Sequence, residues 1–319
     1  MAAKGNLRIA DDALEGTAPS VPRVQLSPRH RRRGALQTLF FLAAVSLAGA
    51  ADTRPVAVVT IETRDLKVEF AGERAWTIHR IYYTGELVAD RNGFYGTVFA
   101  AEGGKWIGTG HNEGGVEQVN EVTLTVDGKP CELVDKADYH GQRAEIHKRS
   151  MLGPLRLEAT YVVTEDSVLE RHRYETTTEV QIGTLYAFMH AWLPRTTEWM
   201  AELGDGSVID GKFDNAGDFK LKQDPKWTAI YDPENHRAML CWYPTVLVGQ
   251  GIKTGYWDKT VYHKLYNQIY SHATVPAGAK FEAAVIVRGV EADAPAWKDA
   301  AKARAAETKT RFESGDIRF

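Results

Sequence analysis

Short runs of alternating apolar and polar residues recur from Val56 onward, and turn-forming residues separate them. Alternation with a period of two is typical of β-strands that bury one face. Many such runs between turns are typical of a β-sandwich or barrel. The runs that we expect to form strands are 56–62, 66–70, 75–83, 95–100, 119–126, 145–148, 155–164, 168–175, 184–193, 227–231, 238–243, 260–272 and 280–288.

Turns and a single helix complete the predicted outline. Asp-Gly at 127–128 predicts a hairpin, and Arg-Asn-Gly at 91–93 predicts a turn. Residues 204–218 are rich in glycine and aspartate, so we expect a long loop there. Residues 294–298 contain a proline and predict a helix start, and 300–308 supply strong helix formers. The pattern therefore predicts an all-β, antiparallel fold with one C-terminal helix.

The run 184–193 has two distinct faces. One face is apolar throughout and consists of Leu185, Ala187, Met189, Ala191 and Leu193. The other face is aromatic with a single imidazole and consists of Tyr186, Phe188, His190 and Trp192. Such a face suits stacking against the apolar side of a sugar ring. The alternative is a strand buried on both faces between two sheets, with His190 hydrogen-bonded in the core.

The run 260–270 also has two faces. Val261, His263, Leu265, Asn267 and Ile269 share one of them. The other carries Tyr262, Lys264, Tyr266, Gln268 and Tyr270. Three tyrosines with a lysine and a glutamine are too polar for a dry core, so this row could line a groove. A solvated outer sheet face with cross-strand aromatic pairs is the alternative.

Residues 106–117 form a glycine-rich stretch that presents His111, Asn112, Glu113 and Glu117. Glycine permits left-handed backbone and close approach of a ligand, and binding residues gather on loops. The stretch is therefore a candidate site. The alternative is a hairpin whose polar groups face water.

The sequence carries no diagnostic metal motif. His111, Glu113 and Glu117 could bind a divalent cation, but their spacing specifies none, and we expect no metal. Asp210, Asp214 and Asp218 recur at four-residue intervals without the ligand order of an EF-hand, so we expect a solvated loop.

Composition narrows the classes of function. The 319 residues are 44% hydrophobic and 10% aromatic, which is enough for a substantial core. The net charge is −3, and the only basic cluster is near the N-terminus, so no nucleic-acid partner is expected. Dinucleotide-binding, phosphate-binding, serine-hydrolase and HExxH motifs are missing, and no cofactor is predicted. Cys131 and Cys241 lack zinc-site spacing and are expected to be free and buried.

The N-terminus is typical of an export signal. A basic cluster at 29–33 precedes an apolar run at 36–47, and Ala-Gly-Ala at 48–50 fits a cleavage site. We predict a signal peptide with a long polar lead at 1–50 and a single mature domain at 51–319. The protein would then be secreted or periplasmic, with no stable membrane anchor after leader removal. An uncleaved anchor is the alternative.

Four motifs in order resemble those of a known group. They are Gly-His-Asn-Glu-Gly-Gly at 110–115, Phe-Met-His-Ala-Trp-Leu-Pro at 188–194, Trp-Thr-Ala-Ile-Tyr-Asp-Pro-Glu at 227–234, and Val-Pro-Ala-Gly-Ala-Lys-Phe-Glu at 275–282. Together they resemble the galactose mutarotase-like superfamily, whose β-supersandwich occurs in aldose epimerases and in domains of polysaccharide lyases and glycoside hydrolases. The resemblance implies a β-supersandwich with a polysaccharide or oligosaccharide partner. Aldose epimerases carry a glutamate base on a late strand, and residues 263–273 offer no carboxylate here.

The expected function is therefore that of an exported, carbohydrate-active polysaccharide lyase that cleaves a uronate-containing glycan by β-elimination. His111 and His190 are candidate bases, Tyr262 is the candidate acid, and Arg80 would neutralise the uronate carboxylate. The other expected substrate contacts are Trp106, Asn112, Glu113, Glu117, Tyr186, Trp192 and His263. One alternative is an aldose 1-epimerase-like enzyme that uses Glu113 or Glu117. Another is a secreted carbohydrate-binding domain without turnover.

Overall fold

The computed structural model describes residues 57–90, 94–109, 111–247 and 254–319. The expected leader at 1–50 and the expected turn at 91–93 lie outside these residues. Between Ala57 and Phe319 the described chain consists almost entirely of β-strands joined by short turns.

The first strands are β1 (Val58–Glu62), β2 (Leu66–Ala71), β3 (Thr77–Tyr83), β4 (Glu86–Ala89), β5 (Phe94–Tyr95), β6 (Val98–Ala101), β7 (Ile107–Gly108), β8 (Gln118–Val126), β9 (Lys129–Cys131), β10 (Ala137–His140) and β11 (Arg143–Leu152). The later strands are β12 (Leu155–Thr164), β13 (Ser167–Thr176), β14 (Val180–Trp192), β15 (Glu198–Leu203), β16 (Val208–Lys212), β17 (Phe219–Lys220), β18 (Pro225–Asp232), β19 (Arg237–Trp242), β20 (Gly255–Lys259), β21 (Tyr262–Val275) and β22 (Lys280–Glu291). A 3-10 turn, Gly72–Arg74, joins β2 to β3, and the helix α1 spans Trp297–Glu313.

These strands form three sheets. A five-stranded sheet has the order β10-β1-β2-β3-β4. A ten-stranded sheet has the order β16-β15-β18-β19-β22-β13-β12-β11-β8-β9. A seven-stranded sheet has the order β17-β20-β21-β14-β6-β7, with β5 also paired to β14. Neighbouring strands are antiparallel except β1 and β10, which pair in parallel.

The main core lies between the sheets and follows the alternation of the strands. In β12, Leu155, Leu157 and Tyr161 are buried, whereas Arg156 and Glu158 point to solvent. Side chains of all three sheets belong to one apolar cluster, which removes a large area of hydrocarbon from water. The predicted all-β sandwich with one C-terminal helix is confirmed.

Helix α1 covers the outer face of part of the ten-stranded sheet. Trp297 stacks on Tyr231 with ring centroids 5.1 Å apart and planes 2° apart. Behind the helix, the fully buried Arg288 of β22 donates hydrogen bonds to Asp166 and to Glu307 of the helix. The helix is thus held by apolar packing and by charge. Among the described residues, no helix combines the length and the apolar composition needed to cross a membrane.

The stretch 204–218 differs from the long loop that its composition predicts, because β16 lies inside it and pairs with β15. Gly211 passes directly over the ring of Trp199, where a Cβ atom would come within 2.8 Å of a ring carbon. A glycine in this stretch therefore permits close packing of an edge strand instead of marking a loop.

Neither cysteine forms a disulfide. Cys241 is buried in β19, as expected. Cys131 is only half-buried, which corrects the expectation for it, because β9 is an edge strand of the ten-stranded sheet.

Candidate functional site

Strands β14 and β21 pair over most of their length, but the register shifts on both sides of Tyr186. Phe188, His190 and Trp192 are fully buried between the sheets. Tyr186 is only half-buried and instead stacks on Trp106, with ring centroids 5.8 Å apart and planes 19° apart. A bulge reverses the alternation of a strand. The expected aromatic face of this run is therefore divided between the core and the opposite side of the sheet.

On that opposite side, β21 presents Tyr262, Lys264 and Tyr266 of the predicted row, whereas Tyr270 packs against Phe281 beside the main core, with ring centroids 5.0 Å apart. We call the surface formed by these residues and their neighbours the tyrosine face: Trp106, His111, Tyr186, Tyr262, Lys264 and Tyr266. Tyr186 packs edge to face against Tyr266, with ring centroids 5.0 Å apart. The ring centroids of Trp106 and His111 are 5.9 Å apart. Four of the expected site residues are thus on one surface of the seven-stranded sheet.

Lys264 lies in the middle of the tyrosine face. Its Nζ atom is 4.6 Å from the ring centroid of Tyr262 and 5.5 Å from that of Tyr266, which places the charge over aromatic faces. The residue is only 2% exposed. Burial, followed by the charges of Arg74 and Lys259, lowers the pKa of Lys264 to about 7. Near neutral pH, both the amine and the ammonium forms are therefore populated.

His111 lies in the loop between β7 and β8 and is half-buried. Burial and the positive charge of Lys264 lower the pKa of His111, and the carboxylate of Glu113 partly opposes them. The Oε1 atom of Glu113 is 3.8 Å from Nδ1 of His111. The imidazole is therefore neutral at pH 7 and able to accept a proton. Asn112 and Glu113 are both exposed beside it, where sugar hydroxyls could reach them.

His190 and Trp192 belong to the core, which corrects their expected roles in catalysis and substrate contact. His190 is 0% exposed, and its Nε2 atom lies 2.9 Å from Oε1 of Glu170. Its Nδ1 atom is 3.7 Å from Sγ of Cys241, and burial raises the pKa of that thiol. The arrangement has the composition of a catalytic triad. All of its members are buried, however, so a substrate would have to separate the sheets to reach them.

His263 points to the core side of β21, away from the tyrosine face. It stacks on Phe213 with ring centroids 3.9 Å apart, and Nδ1 lies 3.1 Å from Oγ1 of Thr196. Asp258 is 3.3 Å from its Nε2 atom. Burial lowers the pKa of His263, so the ring is neutral and structural. This corrects its expected contact with substrate.

Arg80 and Glu117 are also placed differently from expectation. In β3, Nε of Arg80 lies 2.8 Å from Asp90, and its Nη1 atom lies 3.2 Å from Glu69, so its charge is already paired with carboxylates. Glu117 is buried, and its Oε1 atom lies 2.7 Å from Nζ of Lys148. Neither side chain reaches the tyrosine face by any contact of the described residues.

The aspartates that recur at four-residue intervals between residues 210 and 218 are paired with lysines. Lys220 places Nζ 2.9 Å from both Asp214 and Asp218, and Asp210 pairs with Lys298 at 3.0 Å. An ammonium group thus supplies the positive charge that a calcium ion would bring. Because Glu117 points into the sandwich, it cannot complete a metal site with His111 and Glu113.

Lys264 is the site residue that sequence reasoning placed on the right face but did not select. The sequence did contain a signal for this residue, because Lys264 is flanked on its own face of the strand by Tyr262 and Tyr266. Its nearness to Arg74 and Lys259 was not readable, because those residues come from a distant turn and another strand.

No protein-family model and no curated protein sequence matches the chain. Among solved structures, a galactose mutarotase-like protein from Lactobacillus casei is 12% identical, covers 73% of this chain and 99% of its own, and has a TM-score of 0.44. An aldose epimerase homologue from C. elegans is 11% identical, covers 75% of this chain and 100% of its own, and has a TM-score of 0.42. The GH36 α-galactosidase AgaA from Geobacillus stearothermophilus is 9% identical, covers 66% of this chain and 33% of its own, and has a TM-score of 0.41.

Two of these three structures are named as relatives of galactose mutarotase or aldose epimerase, the group that the sequence motifs resemble. With TM-scores below 0.5, these structures assign no role to any residue of this chain. The resemblance of this chain to the galactose mutarotase-like superfamily therefore rests on its four sequence motifs at 110–115, 188–194, 227–234 and 275–282.

Proposed function

We propose that the chain is a carbohydrate-active enzyme that cleaves a uronate-containing polysaccharide by β-elimination at the tyrosine face. The observation that carries the proposal is the placement of Lys264 and His111 on one aromatic surface. The two groups offer a cation for the uronate carboxylate and a neutral base beside it.

The aromatic rings supply the binding surface. Trp106 and Tyr186 form a stacked pair, and Tyr266 extends the surface toward Phe219 at 5.7 Å. Trp257 continues the row, 4.6 Å from Phe219. Half-buried aromatic rings present large apolar faces with polar tips, which suit the C–H faces and hydroxyls of a sugar chain.

The proposed reaction assigns one role to each group. His111 removes the proton on the carbon next to the carboxylate, and the electron pair forms a double bond as the bond to the O4 leaving group breaks. Tyr262 gives its proton to the leaving oxygen. The buried ammonium of Lys264, beside the rings of Tyr262 and Tyr266, stabilises through its field the negative charge that develops on the carboxylate, the role expected at first for Arg80.

The charges of the site support one another in this scheme. An anionic sugar beside Lys264 favours its protonated form, so binding keeps the ammonium charged. The ammonium in turn disfavours protonation of His111, which keeps the base neutral. Substrate binding therefore sets both protonation states that the elimination needs.

The direct test is to incubate the protein with a panel of polyuronates and detect unsaturated products by ultraviolet absorbance and mass. We expect product from wild type and a loss of about 10²–10⁴ in rate for His111→Ala. His147→Ala is the matched control, because His147 is half-exposed on the outer face of the ten-stranded sheet. Wild-type activity in His111→Ala, or the absence of unsaturated product from every polyuronate, would reject the proposal.

Binding without turnover is the second candidate, and the continuous aromatic row favours it. It would show as saturable binding of an oligosaccharide with no change in the mass of the sugar. For the epimerase alternative, Glu117 is not a candidate base, because its carboxylate is paired with Lys148 in the core. Glu113, beside His111, is the remaining candidate. Conversion of anomers observed by NMR would support it.

We also propose export of residues 51–319 as a single domain, on the basis of the basic, apolar and small-residue pattern at the N-terminus. N-terminal sequencing of secreted protein should begin at Ala51. A secreted form that begins before Arg33 would contradict this proposal.

A further inference from the structure

A buried ion pair joins two separate segments of the chain. Nζ of Lys148 is 2.7 Å from Oε1 of Glu117, and both side chains are almost completely buried. Ser150 donates a hydrogen bond to the same carboxylate oxygen at 2.5 Å. Lys148 also donates to the carbonyl oxygen of Ala75 at 2.8 Å. One ammonium group therefore connects the end of the His111 loop to the residue that follows Gly72–Arg74.

Each of these segments brings a charged or titratable group to Lys264. The 3-10 turn carries Arg74, whose charge lowers the pKa of Lys264. The loop that ends at Glu117 carries His111, whose own pKa is lowered by the charge of Lys264. The described titratable groups around Lys264 include Arg74, His111, Lys259, Tyr262 and Tyr266.

The backbone beside Arg74 is strained, although Ala75 donates to the Gly72 carbonyl at 3.1 Å and Trp76 to the Ala71 carbonyl at 3.0 Å. Ala75 and Trp76 have φ angles of 54° and 56°, in the left-handed region that residues with a Cβ adopt at an energetic cost. Two successive residues of this kind persist only where the surroundings fix them. The hydrogen bond from Lys148 to Ala75 provides such a fixed point, and Thr77 adds another by donating to the Arg74 carbonyl at 2.8 Å.

We propose that Lys148 is a positioning residue that, through Glu117 and the Ala75 carbonyl, sets the distances of Arg74 and His111 from Lys264. Its consequence for catalysis rests on the proposed function, whereas the positioning itself does not. A buried ion pair adds little net stability, and an apolar replacement of both partners is often neutral. Positioning explains what the pair contributes here, because an apolar side chain cannot hold the carbonyl and the loop together.

The experiment uses the double variant Lys148→Met/Glu117→Gln of the full chain. Removing both partners leaves no unpaired buried charge, and the amide keeps a partner for Ser150. Lys148→Met alone would strand the Glu117 carboxylate and is not informative. The matched control is Arg173→Met/Glu282→Gln, which removes an exposed ion pair of 3.2 Å on the outer face of the ten-stranded sheet.

Two measurements separate positioning from general stability. Hydrogen exchange should become about tenfold faster in residues 72–77 and 106–117 of the double variant, with little change in the ten-stranded sheet. The pH midpoint of Lys264 modification by a small amine-reactive acetylating reagent should rise, because Arg74 moves away. Neither Lys148 nor Glu117 is among the charges that shift the pKa of Lys264, so loss of these two charges does not itself explain a rise.

The outcomes distinguish this inference from the proposed function. Unchanged exchange and an unchanged Lys264 midpoint would overturn the positioning role, even if wild type cleaves polyuronates. A raised midpoint and faster exchange in the two segments would support it, even if wild type cleaves none. If wild type is active, kcat/KM should fall about tenfold in the double variant and stay unchanged in the control.

Discussion

Replacing Lys264 by methionine tests the charge environment of the tyrosine face without any substrate. Methionine keeps the length and the apolar stem of the side chain but carries no charge. In the folded protein, burial and the neighbouring cations lower the pKa of Lys264 from 10.5 to about 7. In the unfolded chain, the same side chain titrates near its ordinary value.

The sign of the effect follows from proton binding. Between about pH 7 and pH 10.5, the unfolded state holds a proton on Lys264 that the folded state has released. Stability therefore rises with pH across this window, and the destabilisation is complete only below about pH 7. The full difference corresponds to about 5 kcal/mol at about 1.36 kcal/mol per pKa unit. Relaxation around the buried group reduces it, so we expect about 2–3 kcal/mol.

The assay is urea unfolding of wild type and Lys264→Met at several pH values from 6 to 10. The stability of wild type should rise relative to that of the variant by about 2–3 kcal/mol as pH increases from 7 to 10. Other titrating groups affect both proteins and cancel in the difference. Parallel stability curves over this range would refute the inferred environment of Lys264, and with it the proposed coupling of its charge to His111.

Three further predictions concern the pH profile and the core. The pH profile of kcat/KM should be bell-shaped, because it rises through the lowered pKa of His111 and falls near pH 7 as Lys264 loses its proton. Lys264→Arg should remove the fall on the alkaline side. An unchanged fall in this variant would contradict the assignment. His190→Ala leaves Glu170 buried without its imidazole and should lower the free energy of unfolding by about 3–5 kcal/mol; a loss below about 1 kcal/mol in urea unfolding would argue against a structural role. Arg288→Met should destabilise the protein by a similar amount and speed hydrogen exchange in α1, whereas unchanged exchange would show that apolar packing alone holds the helix.

The fold was largely readable from the sequence, because most of the long strands alternate apolar and polar residues over part of their length. In β12, Leu155, Leu157 and Tyr161 enter the core, and in β21, Tyr262 and Tyr266 emerge where the alternation puts them. The errors in the predicted structure came from local backbone geometry, which the alternation of apolar and polar residues does not encode. The bulges in β14 separate Tyr186 from His190, and Gly211 marks close packing against the ring of Trp199 instead of a loop.

The site was readable only in part. His111, Trp106, Tyr186 and Tyr262 share a surface, as their residue types suggested. Their companion Lys264 was not selected, because its lowered pKa depends first on burial and then on the charge of Arg74, which comes from a distant turn. Arg80 and Glu117 were misplaced for a similar reason. From the sequence alone, a charged side chain cannot be distinguished from one that binds substrate. Its ion-pair partner, such as Lys148 for Glu117, is known only from the structure.

Cleavage of a susceptible polyuronate in water enriched in oxygen-18 tests the central claim most directly. Elimination breaks the bond to the leaving oxygen without adding water. The account therefore predicts unsaturated fragments whose masses contain no oxygen-18, together with loss of this product in His111→Ala. Saturated fragments that carry one oxygen-18 atom would show hydrolysis and contradict β-elimination at the tyrosine face.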